Sequence, residues 1–440
     1  MKKIPAVSNT ETNAKLPWLG VIADDYTGAS DVAGTLVRAG MRVVQTFGIP
    51  ESSMQMRDVD CIVISLKTRS VPVAEAVEQS LAAAHALTMR GVQQLYFKYC
   101  STFDSTAEGN IGPVADALRG EFVRDGQVTV VAPGTPALRR TVYNGVLFAG
   151  MDLLQESSMR HHPLTPMSDS NVASLLQAQT KTPVGHVGYS AIEAGAAAVQ
   201  SQLQILSAAA TGYAVVDTLD DGHLAVLGSA LLDHRLVTGG SGLVGGLAVA
   251  RGARVQPGPA PVTRPTGPAA VVAGSCSEMT RAQINAFGQS RPCFLVDPVA
   301  IADGQDVVAT ALDFARQNMV DGPVLIHSTT SPEEVSRAQQ QLGRARAAEI
   351  TEQGLSTIAE GLISLGCRQL IVAGGETSGA VVRRLGIATA RVGREVAPGV
   401  PWLTTETGLT TETGDEFAIL LKSGNLGNPR LFLDAWDHDR

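Results

Sequence analysis

Short aliphatic runs alternate along the chain with longer amphipathic or Ala-rich stretches, a pattern that predicts strands separated by helices. Residues 18–23 (WLGVIA) read as a buried strand and 28–39 as the helix after it. Residues 41–47 and 61–66 read as further strands, 74–89 as a helix, and 94–99 (QLYFKY) and 128–132 (VTVVA) as strands. An Ala-rich helix over 192–210 leads to a strand at 213–216. The later part repeats the style, with strands at 269–273, 294–296, 324–327 and 369–373, a helix over 307–319, and one long helix or a pair over 332–365. Strands spaced by helices of this length imply βαβ units. The expected fold is α/β, in two domains, each built on a mostly parallel sheet flanked by helices.

The run at 252–268 (GARVQPGPAPVTRPTGP) excludes helix and central strand and reads as a stiff linker. It separates an expected first domain, 16–251, from a second, 269–440. Residues 1–15 are polar, without the apolar core of a signal peptide, and are expected to be a disordered tail. No run reaches the ~20 apolar residues of a membrane helix. The five cysteines are scattered without a C-x-x-C, which supports neither a disulfide framework nor a zinc site and fits a reduced, cytoplasmic setting. A formal net charge of −8 without a basic tract argues against a nucleic-acid partner. A small anion would have to be held locally, by backbone amides and a few basic side chains.

In open parallel sheets ligands bind beyond the carboxyl ends of the strands, so the residues following each strand carry the candidate chemistry. After WLGVIA comes Asp24-Asp25-Tyr26-Thr27-Gly28: either two carboxylates that orient and deprotonate a substrate hydroxyl, or a simple helix cap. After QLYFKY comes KYCSTFDSTAEGNIG, dense in hydroxyls and holding Lys98, Asp104, Glu108 and Asn110. It offers a cation for a carboxylate and polar partners for hydroxyls, or else a solvated turn with Asn110 as a helix cap. Residues 238–246 (TGGSGLVGG) contain Gly240 in a formal G-x-G-x-x-G, readable as an anion nest or as tight packing. No acidic ribose partner and no βαβ unit follow it, which argues against a nicotinamide dehydrogenase. After QLIVA comes Gly374-Gly375-Glu376-Thr377-Ser378, a strand, Gly-rich turn and helix of the kind that cradles phosphate. Ser275 and the Lys422-Ser423-Gly424-Asn425 segment follow strands expected on the same edge. There is no Walker A lysine motif, no H-E-x-x-H and no G-x-S-x-G.

These segments resemble the four-carbon acid sugar kinase family, and within it the 3-oxo-tetronate kinases. GVIADDYTGASDVAG (20–34), KYCSTFDSTAEGNIGP (98–113) and VAGGETSGAV (372–381) carry the resemblance, in the right order over nearly the whole chain. It implies a sugar-acid domain followed by a nucleotide domain. Asp24, Asp25, Lys98, Asp104, Ser105 and Asn110, with Thr27 and Gly240, would face the acid. Ser275, Gly374, Gly375, Glu376, Thr377, Ser378 and Gly424 would face ATP. Sibling threonate and erythronate kinases carry a shorter K-x-D-S-T-L-R-G-N, whereas this chain has Ala107-Glu108 in place of Leu-Arg. That departure points toward the 3-oxo acid and leaves open which cation meets the substrate carboxylate.

The implied reaction is transfer of the γ-phosphate of ATP, with Mg²⁺, to the C4 hydroxyl of a four-carbon sugar acid. Asp25 is the expected base and Asp24 the substitute; the metal ligands stay unassigned. Closure of the two domains across the linker would exclude water. The rivals are a threonate or erythronate kinase and a sensor that binds acid and nucleotide without turnover. A homo-oligomer stays open.

Overall fold

The computed structural model describes residues 16–54, 56, 58–124, 126–161, 165–252, 264–329, 332–405 and 416–436, without the side chains of 161, 332 and 333. The expected tail (1–15) and most of the expected linker (253–263) lie outside the described residues. The first half of the chain forms β1 (Leu19–Ala23), β2 (Val43–Phe47), β3 (Cys61–Ser65), β4 (Gln94–Lys98), β5 (Thr129–Ala132), β6 (Arg140–Tyr143), β7 (Val146–Ala149), β8 (Asp152–Leu153), β9 (Val184–Val187), β10 (Tyr213–Val216) and β11 (Leu236–Gly239). The second half forms β12 (Ala269–Ala273), β13 (Cys293–Leu295), β14 (Val324–His327), β15 (Gln369–Ala373), β16 (Thr389–Ala397), β17 (Val400–Thr405) and β18 (Ala418–Lys422).

The strands that carry the candidate loops are buried at every position: LGVIA, CIVIS, QLYFK, AAVVA, QLIVA and AILLK. Continuous apolar runs of this kind are what a parallel strand with helices on both faces requires. β3, β1, β4 and β11 are parallel neighbours, and so are β14, β12, β15 and β18. Each group therefore presents its post-strand loops along a single edge.

Each half is built on its mostly parallel sheet, as expected, and the two sheets are joined edge to edge into one. Fifteen strands run in the order β13-β14-β12-β15-β18-β17-β16-β2-β3-β1-β4-β11-β5-β10-β9, and β6-β7-β8 make a small separate sheet. The join is the antiparallel pairing of β16 with β2, in the register Thr389↔Thr46, Ala390↔Gln45 and Arg391↔Val44. One apolar cluster crosses it, containing Val32, Ala33 and Leu36 of the helix Tyr26–Arg38 together with Val381, Val382, Ala390 and Val392. The β16–β17 hairpin that builds the join went unread in the sequence, because Arg391, Arg394 and Glu395 break up its apolar pattern.

The join also settles how the two loop edges face each other. Three antiparallel pairings in succession reverse the strand direction between β18 and β2. Six neighbour-to-neighbour steps separate β15 from β1. The loops beyond the carboxyl ends of β3 and β15 nevertheless meet, since Lys67 after β3 pairs with Glu376 after β15.

Other differences are local. The Ala-rich helix is two helices, Tyr189–Glu193 and Ala196–Ala208, broken at Gly195, whose φ of 100° no L-residue in a helix adopts. The 332–365 stretch is the pair Pro332–Leu342 and Arg344–Ser364.

Candidate active site

At the carboxyl end of β1, Asp25 caps the helix Tyr26–Arg38: its Oδ1 accepts from the Gly28 amide at 3.0 Å and its Oδ2 from the Thr27 hydroxyl at 2.8 Å. The guanidinium of Arg69, four residues beyond the end of β3, grips both aspartates. Nε and Nη2 fork onto Asp24 at 2.9 and 2.8 Å, and Nη2 also reaches Asp25 Oδ1 at 2.8 Å. Nη1 stands 3.8 Å from Asp104. Such bidentate, charge-assisted contacts are strong and directional. Lys98, at the end of β4, is buried and donates from Nζ to the Tyr99 carbonyl at 2.8 Å.

Burial alone would raise Asp25, but Arg69, Lys98, the Thr27 hydroxyl and the Gly28 amide outweigh it and hold the carboxyl below its usual range. Burial would likewise lower Arg69, yet Asp24 and Asp25 hold it well above its ordinary value. Asp25 is therefore ionised at neutral pH and Arg69 permanently charged.

The loop after β4 closes the pocket. Asn110 does not cap the following helix: its Nδ2 donates to Thr68 O at 2.7 Å and Val71 O at 2.9 Å, pinning the segment that carries Arg69. Ser105 Oγ accepts from Gln179 Nε2 at 2.9 Å, and Asp104 accepts from the Thr165 hydroxyl. Asp24, Thr68, Arg69, Asp104, Ser105 and Asn110 line one depression. Ser105 also lines a neighbouring cleft of about 230 Å³ floored by Met167 and Asp169. Gly240 lies against the same edge, but its amide is committed to Ala132 O at 3.0 Å, and a Cβ there would meet Pro133 O at 2.7 Å. These contacts are those of tight packing.

On the other edge, Gly374 has a φ of 122° and donates to Lys422 O at 2.8 Å, which turns the chain from β15 into the helix Gly375–Arg384. The first amides of that helix have no intrahelical acceptors and face outward. Ser378 is fully buried, and its hydroxyl finds no partner among the described residues. Ser275 and Gly424 touch: a Cβ on Gly424 would sit 2.3 Å from Ser275 Oγ. The fully buried Lys422 ties this loop down from below, donating to Thr280 Oγ1 at 3.2 Å, Ser423 O at 2.9 Å and Gly424 O at 2.8 Å. Burial pushes its ammonium down to about 7.

The two edges touch through Lys67, whose ammonium pairs with the Glu376 carboxylate. Lys67-Thr68-Arg69 thus reaches the aspartates with one residue and the glycine-rich turn with another. Neither basic residue was singled out from the sequence, although the place to look, the turn after the CIVIS strand, follows the same rule as the other four junctions.

Residues 19–247 match the family model described as a sugar-binding N-terminal domain, and residues 270–432 the one described as a nucleotide-binding C-terminal domain. A Burkholderia multivorans protein named 3-oxo-tetronate kinase is 48% identical over 94% of this chain and 96% of its own length. A Cupriavidus necator protein of the same name is 45% identical over 96% and 98%. The chain belongs to the four-carbon acid sugar kinase family. A solved structure from Salmonella typhimurium LT2, described as a tRNA synthase, is 41% identical and superposes with a TM-score of 0.84 over 96% of this chain and 99% of that one.

In this four-carbon acid sugar kinase the structure gathers the residues expected on the acid side, Asp24, Asp25, Thr27, Lys98, Asp104, Ser105 and Asn110, around Arg69. It gathers those expected on the nucleotide side, Ser275, Gly374 to Ser378 and Gly424, around Lys422. Glu376 stands apart within its group, because its carboxylate turns to Lys67 of the other half. Among the described residues no helix is long and apolar enough to cross a membrane.

Proposed function

We propose that the protein is an ATP-dependent kinase that phosphorylates the C4 hydroxyl of 3-oxo-tetronate, with residues 16–251 holding the acid and 269–440 the nucleotide. The observation that carries this reading is the turn Lys67-Thr68-Arg69, which joins an aspartate pocket suited to a polyol to a glycine-rich turn suited to phosphate. The names of the relatives support the choice of acid.

Catalysis in phosphoryl transfer is mostly positioning and charge neutralisation. Asp25 is the base on the C4 hydroxyl: it is ionised, and its Oδ2 has a single protein partner, the Thr27 hydroxyl. Asp24 has both oxygens in the Arg69 fork and acts by fixing that guanidinium. Lys98 donates one proton to Tyr99 O, which leaves ammonium protons for an anionic group of the substrate. The amides of 375–377 and the unpartnered Ser378 hydroxyl suit phosphate oxygens.

Among the described residues no three His, Cys, Asp or Glu side chains form a cage for a metal. Mg²⁺ carried in on the nucleotide would be held mainly by phosphate oxygens and water, with Asp25 a carboxylate available to it on the acid edge. When bound, the ion would neutralise phosphate charge. The free cysteines support a reducing, cytoplasmic setting.

The test is ADP release by the purified protein with Mg-ATP and 3-oxo-tetronate, threonate or erythronate. The reading expects turnover on the 3-oxo acid, with a 4-phosphate as product. Binding of the acid and ATP without ADP release would make the protein a sensor, and preference for threonate or erythronate would move it to the sibling specificity.

A further inference from the structure

The glycine-rich turn lacks a cation of its own. Walker-type loops carry a lysine for the β- and γ-phosphates, but 374–379 (GGETSG) has none, and the first basic residues of its helix, Arg383 and Arg384, lie in the last turn. The cation paired with the N-terminal turn comes instead from the turn after β3, in the other half: Lys67 Nζ pairs with Glu376. A Cβ on Gly379 would lie 3.6 Å from that ammonium and 3.5 Å from Arg383 Nη1, but it is Glu376 of the first turn that Lys67 engages. Next to it, Ser378 keeps a buried hydroxyl without a partner among the described residues.

The Lys67–Glu376 pair is suited to exchange. The two side chains are 33% and 52% exposed. Ion pairs at such exposure contribute about 0–1 kcal/mol. A terminal phosphate group carries about −1.5 to −2 against −1 for a carboxylate, so it competes well for the same ammonium. Arg69, two residues on, is locked onto Asp24 and Asp25, which fixes the turn relative to the reacting hydroxyl.

We propose that Lys67 is the lysine that contacts the terminal phosphoryl group of ATP, with Glu376 occupying it when nucleotide is absent. The inference rests on the kinase reading above. In the transfer, O4 of the acid forms a bond to the γ-phosphorus as the bond to the β–γ bridging oxygen breaks. The O4 proton passes to Asp25, and ADP leaves with the bridging oxygen. Lys67 neutralises the oxygens of the group in flight. Because it comes from the acid-binding half, it also couples occupancy of one edge to the other.

The experiment compares wild type, Lys67→Met and Lys67→Arg in calorimetric titrations with AMP-PNP and with ADP, and in turnover. A lysine on the γ-phosphate predicts that Lys67→Met loses about 10²-fold in kcat. It also predicts about tenfold weaker AMP-PNP binding, with ADP affinity unchanged and partial recovery of AMP-PNP binding in Lys67→Arg. A merely structural bridge between the halves would weaken AMP-PNP and ADP alike, or neither, and either pattern overturns the assignment. Circular dichroism and the arginine variant guard against misreading a folding defect. A wild-type protein that makes no ADP would instead remove the kinase reading itself.

Discussion

The two loop edges solve the problem of holding a charged ligand in opposite ways. The edge formed by β3, β1 and β4 is built from side chains: Asp24, Asp25 and Asp104 set against Arg69 and Lys98, partly neutralising one another before any ligand arrives. The edge formed by β12, β15 and β18 is built from main chain and hydroxyls, drawn together over one buried lysine that spends its protons on carbonyls and Thr280. A small polyol acid presents different groups at each carbon and needs a distinct side chain for each. A polyphosphate repeats one anionic group, which amides at a helix start meet without side-chain specificity. Charge swaps should therefore be ruinous on the first edge, and volume changes on the second.

The largest effect is expected for Arg69→Met, which leaves two buried aspartates without the guanidinium that grips both, Lys98 being the remaining cation near them. Breaking a buried pair of this kind costs about 3–5 kcal/mol, readable as a fall in the denaturant midpoint, and acid binding should vanish in titration. Retention of both would show that the pocket is not held by charge. Next comes Gly424→Ala, whose Cβ would press on Ser275 Oγ at 2.3 Å. Overpacking of about 1–3 kcal/mol predicts a rise of roughly tenfold or more in the KM for ATP, with the KM for the acid unchanged. Equal changes in both constants would dissolve the distinction between the edges.

The last effect concerns Lys422. Its folded-state pKa is lowered from 10.5 to about 7 by burial. Below pH 7 it is charged both folded and unfolded, and the burial penalty is fully present. Between 7 and 10.5 the unfolded chain binds the extra proton, so stability rises with pH. Relative to Lys422→Met, the wild type should gain about 3 kcal/mol of unfolding free energy from pH 6 to pH 9. A flat difference would mean that the ammonium is solvated.

Much of this arrangement was legible in the sequence because it is local. The fully buried strands read as unbroken apolar runs, and Asp25 and Gly374 stand where a strand hands over to a helix. Arg69 was missed because its meaning is not local: its partner Asp24 lies 45 residues away, and LKTRS alone reads as a polar turn. Asn110 was expected to face the acid or cap a helix, yet its amide holds the Arg69 turn, a contact spanning 42 residues. The β16–β17 hairpin escaped for a related reason, since its charged positions make sense only once Arg38 pairs with Glu395 across the join. The β2–β16 pairing that joins the halves was not foreseen either, because it links residues some 345 positions apart.

The central claim is that both edges serve one reaction within one chain, and a crystal structure with AMP-PNP and 3-oxo-tetronate bound together tests it most directly. The account predicts the C4 hydroxyl on Asp25 with its oxygen about 3–3.5 Å from the γ-phosphorus, the separation of a near-attack arrangement, and the phosphates on the 374–378 turn. Ligands seated in separate pockets, with β2 and β16 still paired and the reacting atoms far beyond that separation, would contradict it.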